Sequence, residues 1–492
     1  MKKILLAILG VVLILVAVIV IKTLTFKSNQ PSIAAVDTIK VDENAVIARL
    51  SQALKIQTLS HQDAAKFKPE PFLQFHRMLE KSFPAVHQTL SLQLINEYSL
   101  LYKWVGSEPS LKPVVLLAHM DVVPVEPGTE KNWKHGAFSG DIADSYIWGR
   151  GTLDMKGVLM GLMEATEALV KSGFNPKRTL YLAFGHDEEL GGPEGAGEIV
   201  EHLKQQGIQI AFTLDEGMMI LDSKISPTKK ELAVIGLAEK GYVTLELTAK
   251  GKGGHSSMPP SKTTVGSLSR AIVALEDNQM PPSLSGAAGY FFDTIARDMP
   301  FVQKMMFANL WLFEGLLLDQ LVKNNVTSAM VRTTTAPTII KGGVKSNVLP
   351  SQAQALVNFR IIPGNKVEDV VEHAKSAIND PGVEVNIYQG RGTSPSPVAR
   401  TDSESFNIIR RTVHEVFPGI ASTPGLVIAG TDTKHYVQIS DNNYRFAPML
   451  VGTEDVAGIH GTNERIKIER YVKMIPYYAR LMENAASAGG EI

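Results

Sequence analysis

Five short islands of histidine and carboxylate punctuate this chain: Ala118-His119-Met120-Asp121, Gly151-Thr152-Leu153-Asp154-Met155-Lys156-Gly157, His186-Asp187-Glu188-Glu189, Leu214-Asp215-Glu216-Gly217 and Ile459-His460-Gly461. They offer imidazoles and carboxylates in a chain with no cysteine, a ligand set that suits a two-zinc hydrolytic site and few other chemistries. Each island alone has a plainer reading. A His-x-Asp arises by chance, but at a strand end Asp121 can accept the second ring N–H of His119 and fix its tautomer. Asp154 reads equally well as a helix N-cap or as a carboxylate bridging two cations from a tight loop that Gly151 and Gly157 permit. Glu188-Glu189 is a solvated acidic pair, unless the divergence of adjacent side chains lets Glu189 bind metal while Glu188 works as general base. Asp215 also reads as the start of a turn, and His460 as an ordinary loop histidine. The joint occurrence of all five carries the argument.

The islands hang on apolar runs. Pro113 to Ala118, Leu180 to Phe184 and Ala211 to Leu214 have the length and continuity of strands buried on both faces. Between the first two, Val158, Leu159, Leu162, Met163 and Leu169 recur at helical spacing until Gly173 stops the element. Strand, helix, strand in that order predicts an α/β domain with a parallel sheet, and such sheets bind ligands beyond the carboxyl ends of their strands. After Gly241 the texture changes to alternating strands, Val243 to Leu247 and Ala353 to Arg360, which predicts a separate α+β domain inserted into the first. The expected organisation is a membrane segment over residues 1–27, a linker over 28–44, a catalytic domain over 45–240 resuming over 363–492, and the inserted domain over 241–362.

Composition narrows the class. A formal net charge of -1 provides no basic field for nucleic acid, and the absence of cysteine excludes thiolate catalysis and disulfides. Lys2 and Lys3 precede an unbroken apolar run from Ile4 to Ile21 that approaches a bilayer span. The adjoining stretch, Lys22 to Lys27, has no small-x-small cleavage site, so an uncleaved anchor is expected over a signal peptide. Lys2, Lys3 and the amino terminus outweigh Lys22 and Lys27, which puts the body on the extracytoplasmic, in a bacterium periplasmic, side.

With these residues in view, the chain resembles the M20 family of metallopeptidases and aminoacylases from about residue 45 to 485. His-x-Asp, Gly-Thr-Leu-Asp-Met-Lys-Gly, Asp-Glu-Glu, Leu-Asp-Glu-Gly and Ile-His-Gly occur in the family's order. Trp311 to Glu314, Arg332 to Ala336, Gly343 to Val348 and His460 to Glu464 look like the subgroup of carboxypeptidase S and the secreted N-fatty-acyl-amino-acid synthase/hydrolase. The resemblance implies a zinc-peptidase-like mixed sheet flanked by helices, with an inserted lid and dimerisation domain. It implies one zinc held by His119 and Asp215, a second by Glu189 and His460, Asp154 bridging, and Glu188 as base and then acid. His255 corresponds to a lid histidine that reaches across a homodimer to the oxyanion; without the family it reads as a glycine-flanked turn residue. Imidazole and carboxylate ligands also accept cobalt or manganese.

Substrate recognition is implied by the same resemblance. Arg360 matches an arginine that grips the carboxylate of an amino-acid product through a bidentate pair, with a surface cation as the alternative. Asn347 looks like a lid asparagine near that carboxylate, or a plain turn residue. Lys434 stands where the family often carries arginine and is a point donor in place of a fork. The expected function is release of a free amino acid from a small peptide or N-acyl amino acid. A binding protein that kept the fold and lost the chemistry should lack a ligand or the base, and none is missing. Tyr290 to Phe292 and Met305 to Leu317 form a dense apolar insert that could line an acyl pocket, rest on the membrane near the anchor, or simply pack as helical core or at a dimer contact.

Overall fold

A computed structural model describes residues 1–487. It separates into two units, one built from 29–237 with the segment from 399 onward, the other from 1–28 with 238–398.

The first unit is organised by a ten-stranded sheet. Its strands in chain order are β1 (Ser91–Ile95), β2 (Ser99–Trp104), β3 (Val114–His119), β4 (Leu180–Gly185), β5 (Phe212–Asp215), β6 (Ile220–Leu221), β7 (Leu232–Glu239), β8 (Ala421–Val427), β9 (Asn443–Arg445) and β10 (Leu450–Val451). They lie in the order β1-β2-β4-β3-β5-β9-β7-β6-β10, with β8 paired to β7. The three apolar runs are the central strands, and every residue of β3 and β4 is buried. β3 runs parallel to β4 and to β5, so His119, Gly185 and Asp215 end on one side of the sheet. The parallel sheet predicted from sequence is the centre of a mixed one: β1, β2 and β4 pair antiparallel at one side, as do β9, β7 and β6 at the other.

The predicted helix spans Lys156–Lys171 and is buried almost throughout, because it lies between the sheet and the C-terminal helix Ile468–Ser487. At Gly161 an added Cβ would stand 3.5 Å from the Tyr478 ring, so the two helices approach closely there. On the sheet, Val115, Leu117, Tyr181 and Ala183 pack with Ile199, Leu203 and Tyr436 into one core. Each such aliphatic side chain contributes about 1.5–3 kcal/mol by leaving water, and the sum makes the strand ends a rigid base for a site.

The second unit holds a four-stranded antiparallel sheet in the order Thr334–Lys341, Gln352–Ile361, Gly241–Lys250, Val383–Thr393. Gln352–Ile361 alternates buried and partly exposed residues, as the sequence pattern predicts for a sheet with one covered face. Helices Thr264–Asp277 and Val367–Ile378 cover that face, Leu268 and Val370 packing on Leu245 and Val357. The expected boundary at 362 is corrected here: the helix Val367–Ile378 and strand Val383–Thr393 complete this unit, and the chain leaves it at 398. Pro363-Gly364 is a turn within it. The same unit carries four helices inserted between Gly286 and Val331 and the N-terminal helix Lys2–Thr25, which is long and apolar enough to cross a membrane.

Candidate metal centre

The site grows out of the carboxyl ends of β3, β4 and β5. His119 closes β3 with its Nδ1 2.9 Å from the Asp121 backbone oxygen and 3.3 Å from the Asp121 carboxylate. Those acceptors put the ring proton on Nδ1 and leave Nε2 facing the site. The Asp121 carboxylate is itself fixed, accepting from the Ser60 hydroxyl and from the backbone N–H groups of Glu188 and Glu189. One residue thereby orients His119 and anchors the loop that presents both glutamates.

Asp154 stands between the two histidines. Its Oδ1 is 3.0 Å from His119 Nε2 and its Oδ2 3.0 Å from His460 Nε2. His460 Nε2 also lies 3.1 Å from Glu189 Oε2, and His119 Nε2 lies 3.3 Å from Glu216 Oε1. Ligand atoms of His119, Asp154 and Glu189 fall within 4.8 Å of one another, as do those of His119, Glu188 and Glu216.

Asp215 departs from the expectation. Its Oδ2 accepts from the backbone N–H (3.0 Å) and hydroxyl (2.7 Å) of Thr433, and its Oδ1 from the N–H of Glu216. Those bonds occupy the buried carboxylate with the 431–434 loop. Glu216, one residue further into the turn, carries the carboxylate that meets His119.

Two further acids were not singled out by sequence. Glu464 is fully buried, accepts from the backbone N–H groups of Gly151, Leu153 and Asp154 at 3.0, 2.9 and 3.3 Å, and pairs with buried Arg150 at 2.6 Å. It holds the loop that aims Asp154. The glycine of that loop is required too: a Cβ at Gly157 would stand 2.2 Å from the Thr152 carbonyl oxygen. Asp432, whose charge acts on Glu188, occupies space that Gly185 and Gly192 leave open, a Cβ at Gly192 falling 2.1 Å from its Oδ1. The Gly-Thr-Asn-Glu and Gly-Thr-Asp-Thr-Lys runs were visible signals, but nothing local tied either acid to backbone donors or to a cavity so far away in sequence.

The electrostatics are those of a crowded anionic site. Burial raises the pKa of Glu188 well above the carboxylate range, with Glu216, Asp432 and Asp154 adding to it. Burial and Asp154 push Glu216 up to about 8. Burial opposes protonation of His119, yet Glu216, Asp121 and Asp154 outweigh it and raise its pKa. Asp154 and Glu189 push His460 up to about 10. Glu189 Oε1 is buried with no hydrogen-bond partner. An orphaned buried carboxylate oxygen beside two imidazoles and three further acids fits divalent cations of borderline or hard character. A cavity of about 470 Å³ opens on these residues, and its other walls are mostly apolar: Met218, Met219, Leu221, Val427, Ile428 and Val456, with Thr431 among them.

Of the expected substrate-binding residues, Lys434 belongs to this unit, half-buried beside Asp432 with its Nζ 3.7 Å from a Cβ built at Gly191. His255, Asn347 and Arg360 belong to the other unit. There His255 and Asn347 share a two-stranded ribbon, His255 opposite Val348 and Ser256 N–H donating to the Asn347 carbonyl at 3.1 Å. His255 is exposed, and its Nδ1 accepts from the Ser257 N–H at 3.1 Å, which leaves its proton on Nε2. Arg360, half-buried on Gln352–Ile361, stacks its guanidinium 4.8 Å from the Tyr242 ring centroid.

Residues 115–484 match the family described as Peptidase family M20/M25/M40. The chain is 39% identical over 477 residues to a probable carboxypeptidase S-like protein of Dictyostelium discoideum, covering 95% of this chain and 91% of that one. It is 38% identical over 481 residues to an N-fatty-acyl-amino acid synthase/hydrolase of Xenopus tropicalis, covering 96% and 93%. Among solved structures, an M20 family metallo-carboxypeptidase of Sulfolobus solfataricus superposes with a TM-score of 0.66 at 19% identity, over 91% of this chain and 100% of that one, and shares its α/β fold.

Proposed function

Because the chain belongs to the peptidase family M20/M25/M40 and is therefore a metallohydrolase acting on amide bonds, we propose that it releases a free amino acid from N-acyl amino acids, long-chain acyl derivatives included. One observation carries the reading: Asp154 offers one oxygen to each of two histidines at the mouth of a cavity whose remaining walls are mostly apolar. His119 and Glu216 would hold one cation and Glu189 and His460 the other, with Asp154 shared and Asp121 orienting His119. Two zinc ions, or cobalt or manganese in their place, supply Lewis-acid polarisation of the scissile carbonyl and easier ionisation of water there.

The chain's own groups do the rest. Glu188, half-buried and free of the hydrogen bonds that tie Asp121, Asp154 and Asp215, takes a proton from the attacking water and returns it to the leaving nitrogen. Its raised pKa suits both halves of that task. His255 donates from Nε2 to the developing oxyanion, in a homodimer whose inserted units act as lid and dimerisation domains. Asn347 and Arg360 recognise the carboxylate of the amino-acid part, Arg360 by a planar fork that stacks on Tyr242, and Lys434 adds a point charge. The apolar walls receive the acyl chain, a reading supported by the likeness to the Xenopus synthase/hydrolase. The N-terminal helix stays as an anchor with the body on the extracytoplasmic side.

The test is amino-acid release by the full chain in detergent from N-acetyl-, N-oleoyl- and glycyl-phenylalanine and -leucine, with and without added zinc, beside Glu188→Ala. Zinc-dependent release, greatest for the oleoyl compounds and lost in Glu188→Ala, is expected. Release of glycyl-linked substrates alone would replace the lipid-amide reading by a dipeptidase one, and no release from a metal-loaded chain would refute the hydrolase.

A further inference from the structure

The inserted helices leave an apolar surface uncovered. Phe301 and Val302 at the start of Phe301–Ala308, and Trp311, Leu312 and Leu316 on Leu310–Leu321, are each close to half exposed or more. The second helix, Leu-Trp-Leu-Phe-Glu-Gly-Leu-Leu-Leu-Asp-Gln-Leu, is apolar around most of its circumference, yet only Leu317 is buried. A helix of that composition needs either a core or lipid around it.

Its neighbour says which. The same unit holds the N-terminal helix, whose 24 residues rise about 36 Å, slightly more than the roughly 30 Å hydrocarbon thickness. The last two turns of that helix touch the insert. Asn309, fully buried, donates to the Ile19 carbonyl at 3.3 Å and approaches the Thr23 hydroxyl at 3.4 Å, and Thr23 is the buried residue of the helix. Lys22 sits 5.7 Å from the Trp311 ring, and the Arg297 guanidinium 4.2 Å from the Phe26 ring. Arg297 also donates to the Lys27 carbonyl at 3.1 Å. Aromatic rings paired with basic groups at one end of an apolar helix are the composition of a bilayer's headgroup level, where rings straddle the boundary and cations meet phosphates.

We propose that helices Phe301–Ala308 and Leu310–Leu321 form a platform lying in the phospholipid interface, with Trp311, Leu312, Leu316, Phe301 and Val302 sunk into the outer acyl region beside the anchor. The occupant is the bilayer and not a second copy of the chain, because the patch is continuous with the lipid-facing end of the N-terminal helix, and a protein partner would have to cover both. The proposal rests on the anchor reading above. It gives the insert a function of its own: the unit that carries His255 and Arg360 is fastened to the membrane at two places, the spanning helix and this platform, close to where amphiphilic acyl substrates partition.

The experiment uses the full chain in proteoliposomes of phosphatidylcholine and phosphatidylglycerol. Three of the four tryptophans, Trp104, Trp133 and Trp148, are buried in the other unit, so the Trp311 signal is read as the difference from Trp311→Phe. We measure its quenching by lipids brominated near the glycerol end and by aqueous iodide, beside a Val12→Trp/Trp311→Phe reporter in the middle of the anchor. The expected result is a Trp311 component that loses most of its intensity to shallow bromines and resists iodide, while the Val12→Trp reporter is quenched by deep bromines. A Trp311 component open to iodide and untouched by bromolipid, with the anchor reporter still quenched, overturns the platform and leaves the anchor standing. Protection of Trp311 from both quenchers overturns it in favour of a face between copies. An anchor reporter that bromolipid does not quench overturns the anchor reading and the platform with it.

Discussion

Removing the Glu464 side chain should loosen the metal centre without touching any group that would meet metal or substrate. Glu464→Ala strips buried Arg150 of its 2.6 Å counter-ion and leaves the N–H groups of Gly151, Leu153 and Asp154 without their acceptor. Breaking a buried pair from one side costs about 3–5 kcal/mol, chiefly through the stranded charge. Part of that returns when the charge goes as well, so the double variant Glu464→Ala/Arg150→Met should recover roughly half in a double-mutant cycle. It should not recover more, because unpaired buried backbone donors cost about 1–3 kcal/mol each where water cannot reach them. In a unit of this size 1 kcal/mol moves the midpoint by about 2 °C, so the single variant should melt roughly 6–10 °C lower by calorimetry. Asp154 loses its backbone support, so metal content at a fixed zinc activity should fall in both variants, and in the double as far as in the single. A single variant with unchanged midpoint and full metal content would refute the claim that this carboxylate organises the loop.

Further substitutions separate the roles. Gly192→Ala puts a Cβ 2.1 Å from Asp432 Oδ1 at a backbone φ of +73°, so it should lose at least about 1–2 kcal/mol from the left-handed conformation alone and most of its activity, read by melting and amino-acid release. Alanine at His255, an exposed side chain, should lower kcat about 10²–10³-fold with the melting midpoint unchanged, and a loss confined to KM would contradict oxyanion stabilisation. Lys240 is buried with its Nζ donating to the Ala329 and Arg332 carbonyls at 2.9 Å, and burial, with Arg360 adding, brings its pKa down to about 7. Between pH 7 and 10.5 the unfolded lysine therefore holds a proton that the folded one has shed. Stability should rise with pH across that window by up to about 1.4 kcal/mol per unit, and the rise should vanish in Lys240→Met.

What the sequence displays is governed by local pattern, and what it hides is governed by distant partners. β3, β4 and the helix Lys156–Lys171 were legible because burial on both faces writes continuous apolar runs and a 3.6-residue period directly into the chain. His119 and Glu189 were legible because one ends β3 and the other follows β4, and Asp154 because it lies just before the helix Lys156–Lys171. The choice between Asp215 and Glu216 was not: two adjacent acids follow one strand, and Thr433, 218 residues away, takes the first. The end of the second unit was hidden for the same reason. Pro363-Gly364 looks like a boundary until Val383–Thr393 returns to pair with Gly241–Lys250, a non-local pairing with no signature at either strand. Glu464 and Asp432 look like ordinary loop acids until the fold buries them.

The adjacent pair Asp215-Glu216 also explains how so much negative charge is tolerated in one place. Asp215 meets neutral donors, Thr433 N–H and hydroxyl, and Asp121 is held by His119, by Ser60 and by two backbone N–H groups. Glu464 has Arg150. Asp154 and Glu189 face His460, which is why it is pushed up to about 10, while burial and Asp154 push Glu216 up to about 8: protons fill the part of a missing positive charge. A histidine that binds a cation must be neutral, so cation loading has to expel those protons, and the affinity of the site must weaken steeply in acid. The acids tied to backbone and hydroxyl donors form a frame, and those that face the histidines form the ligand set proposed above. That division is the basis on which we propose Glu216 for the cation and Asp215 for the frame, Glu216 Oε1 lying 3.3 Å from His119 Nε2.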